Sequence, residues 1–82
     1  MIRYIDGSIA AVGDTVLIDK GERTGLVVEV IEGNALLRRW GVDEPGLMVE
    51  SDYYGLLFIP ADRISDMGCK PASGTHNRDK FT

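Results

Sequence analysis

Short runs of apolar and β-branched residues recur along this chain, and turn-forming residues separate them. Such runs, with turns about every 8–12 residues and no long helical period, predict an all-β fold of short strands. Gly13-Asp14 precedes the first run and Asp19-Lys20-Gly21-Glu22 follows it, and both clusters favour turns. The predicted strands are Thr15–Ile18, Thr24–Glu32, Gly46–Ser51 and Gly55–Pro60.

The longest predicted strand, Thr24–Glu32, carries apolar residues on both of its faces. Strict alternation places Leu26, Val28 and Val30 on one face and Val27, Glu29 and Ile31 on the other. Apolar residues on both faces are common in a small barrel, in which one face fills the interior and loops cover part of the other.

Two short segments favour helical turns between strands. Asn34–Trp40 contains helix formers with an asparagine in the N-cap position, and Gly41 ends it. Ala61–Ile64 is typical of a single helical turn that leads to a short last strand. With the VGDTVLID…GLVVEV opening, the pattern predicts an all-β, small SH3-like barrel of five to six short strands with a short helical insertion near residues 34–40. The barrel is predicted to span residues 1–69, followed by a flexible polar tail over residues 70–82.

The charge is unevenly distributed along the chain. The net charge of all 82 residues is −4. Residues 1–69 contain 12 acidic and 6 basic side chains, a net charge of −6, whereas residues 70–82 contain 1 acidic and 3 basic side chains, a net charge of +2. Nucleic-acid binding depends on cations that face phosphates, so an acidic body disfavours DNA or RNA as a partner. A basic protein is favoured, because complementary charge speeds encounter.

Cellular location is suggested by what the sequence lacks. The single cysteine, Cys69, excludes an internal disulfide, and no apolar run reaches the about 20 residues of a membrane span. Met1–Gly7 has no long apolar run and no cleavage pattern, so we expect no signal peptide. Together these features predict a cytoplasmic protein without membrane contact.

Candidate catalytic and metal-binding residues are few. Cys69 and His76 lie seven residues apart and cannot supply the four ligands of a structural zinc site. A Cys–His nucleophile would need Cys69 in a formed pocket, but we expect a surface or half-buried thiol where the tail begins. Asp43-Glu44 and the Glu50/Asp52 pair should lie on exposed bends, without the shelter that acid–base catalysis needs. We expect no enzyme activity, no metal and no cofactor.

The segment GVDEPGLMVESDYYGLLFIP, Gly41–Pro60, combines a predicted hairpin with four acidic residues, no basic residue and two adjacent tyrosines. Adjacent strand residues point to opposite faces, so one tyrosine should pack on the barrel while the other faces out. An exposed aromatic side chain among carboxylates is typical of protein interfaces. The predicted partner-binding residues are Asp43, Glu44, Glu50, Asp52, Tyr53, Tyr54 and Trp40, of which Trp40 is either a core residue or an interface residue.

The order of motifs adds a resemblance to a known group. Tyr4–Asp19 (YIDG…VGDTVLID), Gly25–Glu32 (GLVVEVIE) and Trp40–Pro60 (W…GLMV…YGLLFIP) resemble small SH3-like barrel proteins encoded beside Rhs-type and other polymorphic toxins of bacteria, which are presumed immunity proteins. The resemblance covers residues 4–64 and implies a cytoplasmic protein that binds a cognate toxin domain and neutralises it. Many such toxins are basic enzymes, which suits an acidic inhibitor. The resemblance supplies no catalytic residues, and residues 70–82 depart from the pattern of the family.

Other functions stay open at this point. A KOW-like module that binds nucleic acid or ribosomes shares the VGDTVLI…GLVVEV rhythm, and Arg38-Arg39 would suit it. A small-ligand enzyme would need a deep pocket around Asp43 or Glu50. The oligomeric state is also open, because exposed edge strands can pair into an edge-strand homodimer and few prolines besides Pro45 and Pro60 guard them.

Overall fold

The computed structural model describes residues 1–72 as a five-stranded antiparallel sheet with short helical segments. Two helices, α1 (Asn34–Trp40) and α2 (Ile64–Met67), lie between strands, and 3-10 turns occupy Asp19–Gly21 and Ala61–Arg63. The strands are β1 (Thr15–Ile18), β2 (Arg23–Ile31), β3 (Gly46–Ser51), β4 (Gly55–Pro60) and β5 (Lys70–Pro71). The sheet order is β4-β3-β2-β1-β5, so β4 and β5 are its two edges.

The predicted all-β class and the positions of the strands are confirmed. β1, β3 and β4 have the predicted bounds, and β2 is displaced by one residue toward the N-terminus. Helix α1 occupies the predicted residues and ends at Gly41, whose φ of 68° is left-handed, a conformation that glycine adopts without strain. The predicted cap is wrong, because Gly33 precedes the helix and no side chain caps it. The single helical turn predicted after β4 is longer, since α2 follows the 3-10 turn directly.

The main hydrophobic cluster lies on one face of the sheet. It joins alternate residues of the strands to the N-terminal segment and to α2, which closes over it. Burial of these side chains is the main stabilising contribution to so small a fold. The buried cluster comprises Ile2, Tyr4, Ala10, Val16, Ile18, Val27, Leu47, Val49, Ile59, Ile64 and Cys69.

β2 departs from strict alternation at Val28. Its pairing with β3 passes from Val27 directly to Glu29, which makes Val28 the extra residue of a bulge. One inserted residue reverses the alternation beyond it. Val27 and Val30 therefore both pack on the core, and the predicted faces of this strand are wrong beyond the bulge.

Gly25 allows β2 and β3 to approach closely. A Cβ at this position would overlap the Val49 side chain and lie 3.3 Å from the Glu50 carbonyl oxygen. Gly25 is paired with Ser51, the last residue of β3, so this close approach lies next to the β3–β4 turn.

The end of the described chain is more ordered than the sequence predicts. Cys69 is fully buried in the core, and the expectation of a surface or half-buried thiol is wrong because β5 follows it and pairs with β1. Burial raises the pKa of the Cys69 thiol to about 11. The sheet thus includes Lys70–Pro71, the first two residues of the predicted tail. Residues 73–82, with His76, lie outside the described residues.

Candidate functional site

Two turns meet at one end of the sheet. Because β1 to β4 run as an antiparallel meander, the β1–β2 and β3–β4 connections lie side by side. The first contains Asp19–Gly21, and the second contains Asp52, Tyr53 and Tyr54. We call Asp19, Arg23, Tyr53 and Tyr54 the tip cluster, since side-chain contacts join all four.

The two tyrosines of the tip cluster contact each other and face solvent. Their ring centroids are 4.9 Å apart with the planes at 90°, an edge-to-face geometry that aromatic pairs prefer. Tyr53 is 64% exposed and Tyr54 is 46% exposed. The prediction that they point to opposite faces is wrong, because both lie in a turn rather than a strand. Their backbone N–H groups donate to the Ser51 hydroxyl oxygen at 3.1 and 3.3 Å.

Arg23 adds a cation to this aromatic pair. Its guanidinium carbon lies 4.0 Å from the centroid of the Tyr53 ring, within the range of a cation–π contact. The segment Gly41–Pro60 contains no basic residue, and the register of the sheet brings this one in from the start of β2. No local signal in the sequence could have shown it, because thirty residues separate Arg23 from Tyr53.

Asp19 fixes the second tyrosine. The Tyr54 hydroxyl donates to Asp19 Oδ2 at 2.7 Å, and this bond to a carboxylate raises the pKa of Tyr54. Asp19 and Lys20 have φ angles of 53° and 55°, so two consecutive side-chain-bearing residues adopt the left-handed region. That conformation costs about 1–2 kcal/mol per residue. Strained turns of this kind recur at functional sites, where the surrounding structure holds them in place.

The four predicted acidic contact residues do not form one surface. Glu50 and Asp52 lie at the end of β3 beside the tip cluster, whereas Asp43 and Glu44 precede the start of that strand. At the rise of an extended strand, the six residues of β3 separate the two pairs by about 20 Å. All four side chains are exposed. The structure therefore divides the predicted site into a tip pair and a distant pair.

A row of exposed side chains adjoins the tip pair on the face opposite the core. Cross-strand pairing aligns Thr15, Leu26, Glu50 and Leu56 across four strands. Leu26 and Leu56 are 41% and 53% exposed and flank the Glu50 carboxylate. Shallow grooves beside Leu26 continue to Arg23 and Tyr53. The sequence alone does not single out these leucines, because only the strand register shows which apolar side chains stay exposed.

Trp40 lies away from the tip cluster. It is the last residue of α1, at the end of the sheet where β2 passes to β3, and it is half-buried. Its indole N–H donates to Glu29 Oε1 over a long 3.4 Å. Trp40 therefore belongs with the distant pair and not with the tyrosines.

Within residues 1–72, no group of three or more His, Cys, Asp or Glu side chains is placed to hold a metal ion. No helix in that part of the chain is long and apolar enough to cross a membrane. The tip cluster exposes aromatic, cationic and carboxylate groups at one end of the sheet. Comparison with protein-family models, with curated proteins and with solved structures finds no match for this chain.

Proposed function

We propose that this protein is a non-catalytic protein-binding module whose contact surface is the tip cluster together with Glu50 and Asp52. The observation that carries the proposal is the pair of exposed tyrosines held in one arrangement by Arg23 and Asp19. Tyrosine and arginine are enriched among the residues that dominate binding energy at interfaces. Side chains already ordered before binding lose less conformational entropy when the partner arrives.

The partner we propose is a basic protein, specifically a cognate bacterial toxin domain that this protein neutralises in the cytoplasm. The support is the resemblance of residues 4–64 to immunity proteins and the net charge of −6 over residues 1–69. An SH3-like barrel belongs to the same proposal. In its favour, the short strand β5 returns beside β1 after a helical segment, as small barrels require.

The test is binding to the product of the adjacent upstream gene, measured by calorimetry and by association kinetics at increasing salt. We expect a one-to-one complex whose association slows as salt rises. The variant Glu50→Lys/Asp52→Lys should slow association about tenfold or more. The matched variant Asp43→Lys/Glu44→Lys makes the same change in charge about 20 Å away and should change the rate less than about threefold.

A third variant addresses the aromatic contact. Tyr53→Ala removes an exposed ring, so the fold should be kept, and dissociation should accelerate about tenfold or more. Equal effects of the two charge-reversal variants would show that the contact surface is not the tip cluster. The absence of a complex would contradict the proposal that the toxin is the partner. Retention of RNA by the protein at near-physiological salt would instead favour the KOW-like module.

A further inference from the structure

β4 is an open edge of the sheet with an uncharged sequence. It pairs with β3 on one side, and no backbone hydrogen bond within residues 1–72 joins its other side to another element. The run Tyr53–Ala61 contains nine residues without a charged side chain, the longest such run in the chain. Unpaired edges are templates for pairing with another chain, and charged residues are the usual guard against it.

The opposite edge of the sheet is guarded. β5 is only two residues long, and those residues are Lys70 and Pro71, a charge and a residue without an N–H group. β4 has six residues, and its only proline, Pro60, stands at the very end. Within residues 1–72, protection is therefore built into one edge and absent from the other, which indicates that the β4 edge tolerates or uses a neighbour.

Side chains along β4 add an apolar surface to the free backbone. Leu56 is 53% exposed, and Leu57 and Phe58 are half-buried. A groove between this strand and α2 is lined by Leu57, Phe58 and Met67, with Arg63 and Asp66 at its border. A strand added at this edge would thus gain backbone hydrogen bonds and apolar contacts together.

We propose that β4 pairs in antiparallel orientation with β4 of a second copy of this chain, which joins two sheets into one of ten strands. An acidic chain repels its own copy, so self-association needs a contact free of charge, and β4 provides the longest uncharged segment. A strand that pairs antiparallel with itself is related by a two-fold axis, the commonest symmetry of homodimers. A basic partner, in contrast, is not favoured at this strand, because β4 carries no carboxylate.

The two-fold axis restricts the register. It stands perpendicular to the sheet, so paired residues must share a face and differ by an even number of positions. Leu56 then pairs with Phe58 around a central Leu57, or Leu57 pairs with Ile59 around a central Phe58. In both registers the two tip clusters lie at opposite ends of the joined sheet and remain accessible. The proposal is therefore independent of the proposed function.

The expected affinity is low. A six-residue ladder with its flanking side chains covers less than the about 800 Å² per partner of a standard stable interface. Sedimentation equilibrium from about 1 μM to about 1 mM should therefore show a reversible monomer–dimer equilibrium. Hydrogen exchange should show that protection of the β4 amides increases with protein concentration, while that of β2 does not.

Two leucine variants locate the contact. Leu56→Lys places a charge on the edge strand and should weaken dimerisation about tenfold or more. Leu26→Lys makes the same change at a 41% exposed leucine on the same face, but within the interior strand β2, and should leave dimerisation within about threefold of the unchanged protein.

Four results would overturn the proposal. The first is a monomer at every concentration, and the second is an equal loss of association in both lysine variants. The third is protection of the β4 amides that is already complete at the lowest concentration, because the edge would then be covered by the chain's own residues beyond Ala72. A dimer with concentration-independent exchange at β4 would likewise place the contact elsewhere.

Discussion

Two tyrosine–aspartate hydrogen bonds of nearly equal length lie in opposite surroundings in this molecule. Tyr4 donates to Asp14 Oδ2 at 2.6 Å, and Tyr54 donates to Asp19 Oδ2 at 2.7 Å. Tyr4 is 4% exposed and belongs to the core, whereas Tyr54 is 46% exposed and belongs to the tip cluster. The chemistry of the bond is the same, so its different consequences come from the surroundings.

The buried pair ties the N-terminal segment to the core. The Ala11 N–H also donates to Asp14 Oδ2 at 3.0 Å, so one carboxylate oxygen serves two donors. The pKa of Tyr4 is raised far above its ordinary value, first by burial and then by the bond to Asp14. For Tyr54 the bond to Asp19 is the largest cause. The inner bond therefore supports the fold, and the outer bond orients a surface side chain.

The largest expected effect is a loss of stability at alkaline pH. Folding raises the pKa of Cys69 from 9.0 to about 11 and raises that of Tyr4 above 10.0, so the folded state holds both protons more tightly than the unfolded state. The stabilisation that comes from this tighter proton binding is complete below pH 9. As pH rises further, the free energy of unfolding falls by about 1.4 kcal/mol per pH unit for each group. Urea unfolding from about pH 8 to about pH 11 measures it. In Cys69→Ala the decline should begin about one unit higher, and an unchanged onset would contradict the buried thiol.

Tyr4→Phe should have the next largest effect. It removes the hydroxyl that donates a hydrogen bond to the partly buried Asp14 carboxylate. Because that carboxylate then loses a donor, we expect the free energy of unfolding to fall by about 2 kcal/mol at neutral pH. Chemical denaturation monitored by Trp40 fluorescence measures the change. A loss below about 0.5 kcal/mol would mean that solvent replaces the hydroxyl and that burial does not distinguish the two pairs.

Lys20→Gly should stabilise the protein by about 1 kcal/mol, because the left-handed φ of 55° strains lysine and not glycine. The matched control is Glu22→Gly, two residues further on, where φ is −78° and glycine only adds freedom to the unfolded chain. Thermal unfolding of the two variants should shift in opposite directions. Shifts of the same sign would show that the turn carries no strain.

Tyr54→Phe should have the smallest effect on stability, within about 0.5 kcal/mol, because solvent replaces the lost bond at an exposed site. Its consequence should appear in the tip cluster instead. The spectrum of the Tyr53 ring in two-dimensional NMR should broaden or shift as Tyr54 loses its anchor to Asp19. A destabilisation as large as that of Tyr4→Phe would show that the outer bond also supports the fold.

The sequence predicted the framework of the fold better than it predicted the site. β1, β3 and β4 follow from β-branched and apolar runs between turn residues, and these signals are local. The sequence singled out two members of the tip cluster, Tyr53 and Tyr54, but not Arg23 and Asp19, which contact them. Both missing residues come from the neighbouring hairpin, and only the alignment of the two hairpins brings them to the tyrosines.

What the sequence determines by itself is the set of strands, the turns between them and the acidic character of the chain. The tertiary structure decides which residues meet. The bulge at Val28 reverses the faces of β2 beyond it, and the chain that leads into β5 buries Cys69 in the core. The length of β3 separates Asp43 and Glu44 from Glu50 and Asp52. The physical reason is that strand propensity and turn chemistry act over a few residues. Register and burial depend instead on pairing between segments that lie far apart in the chain.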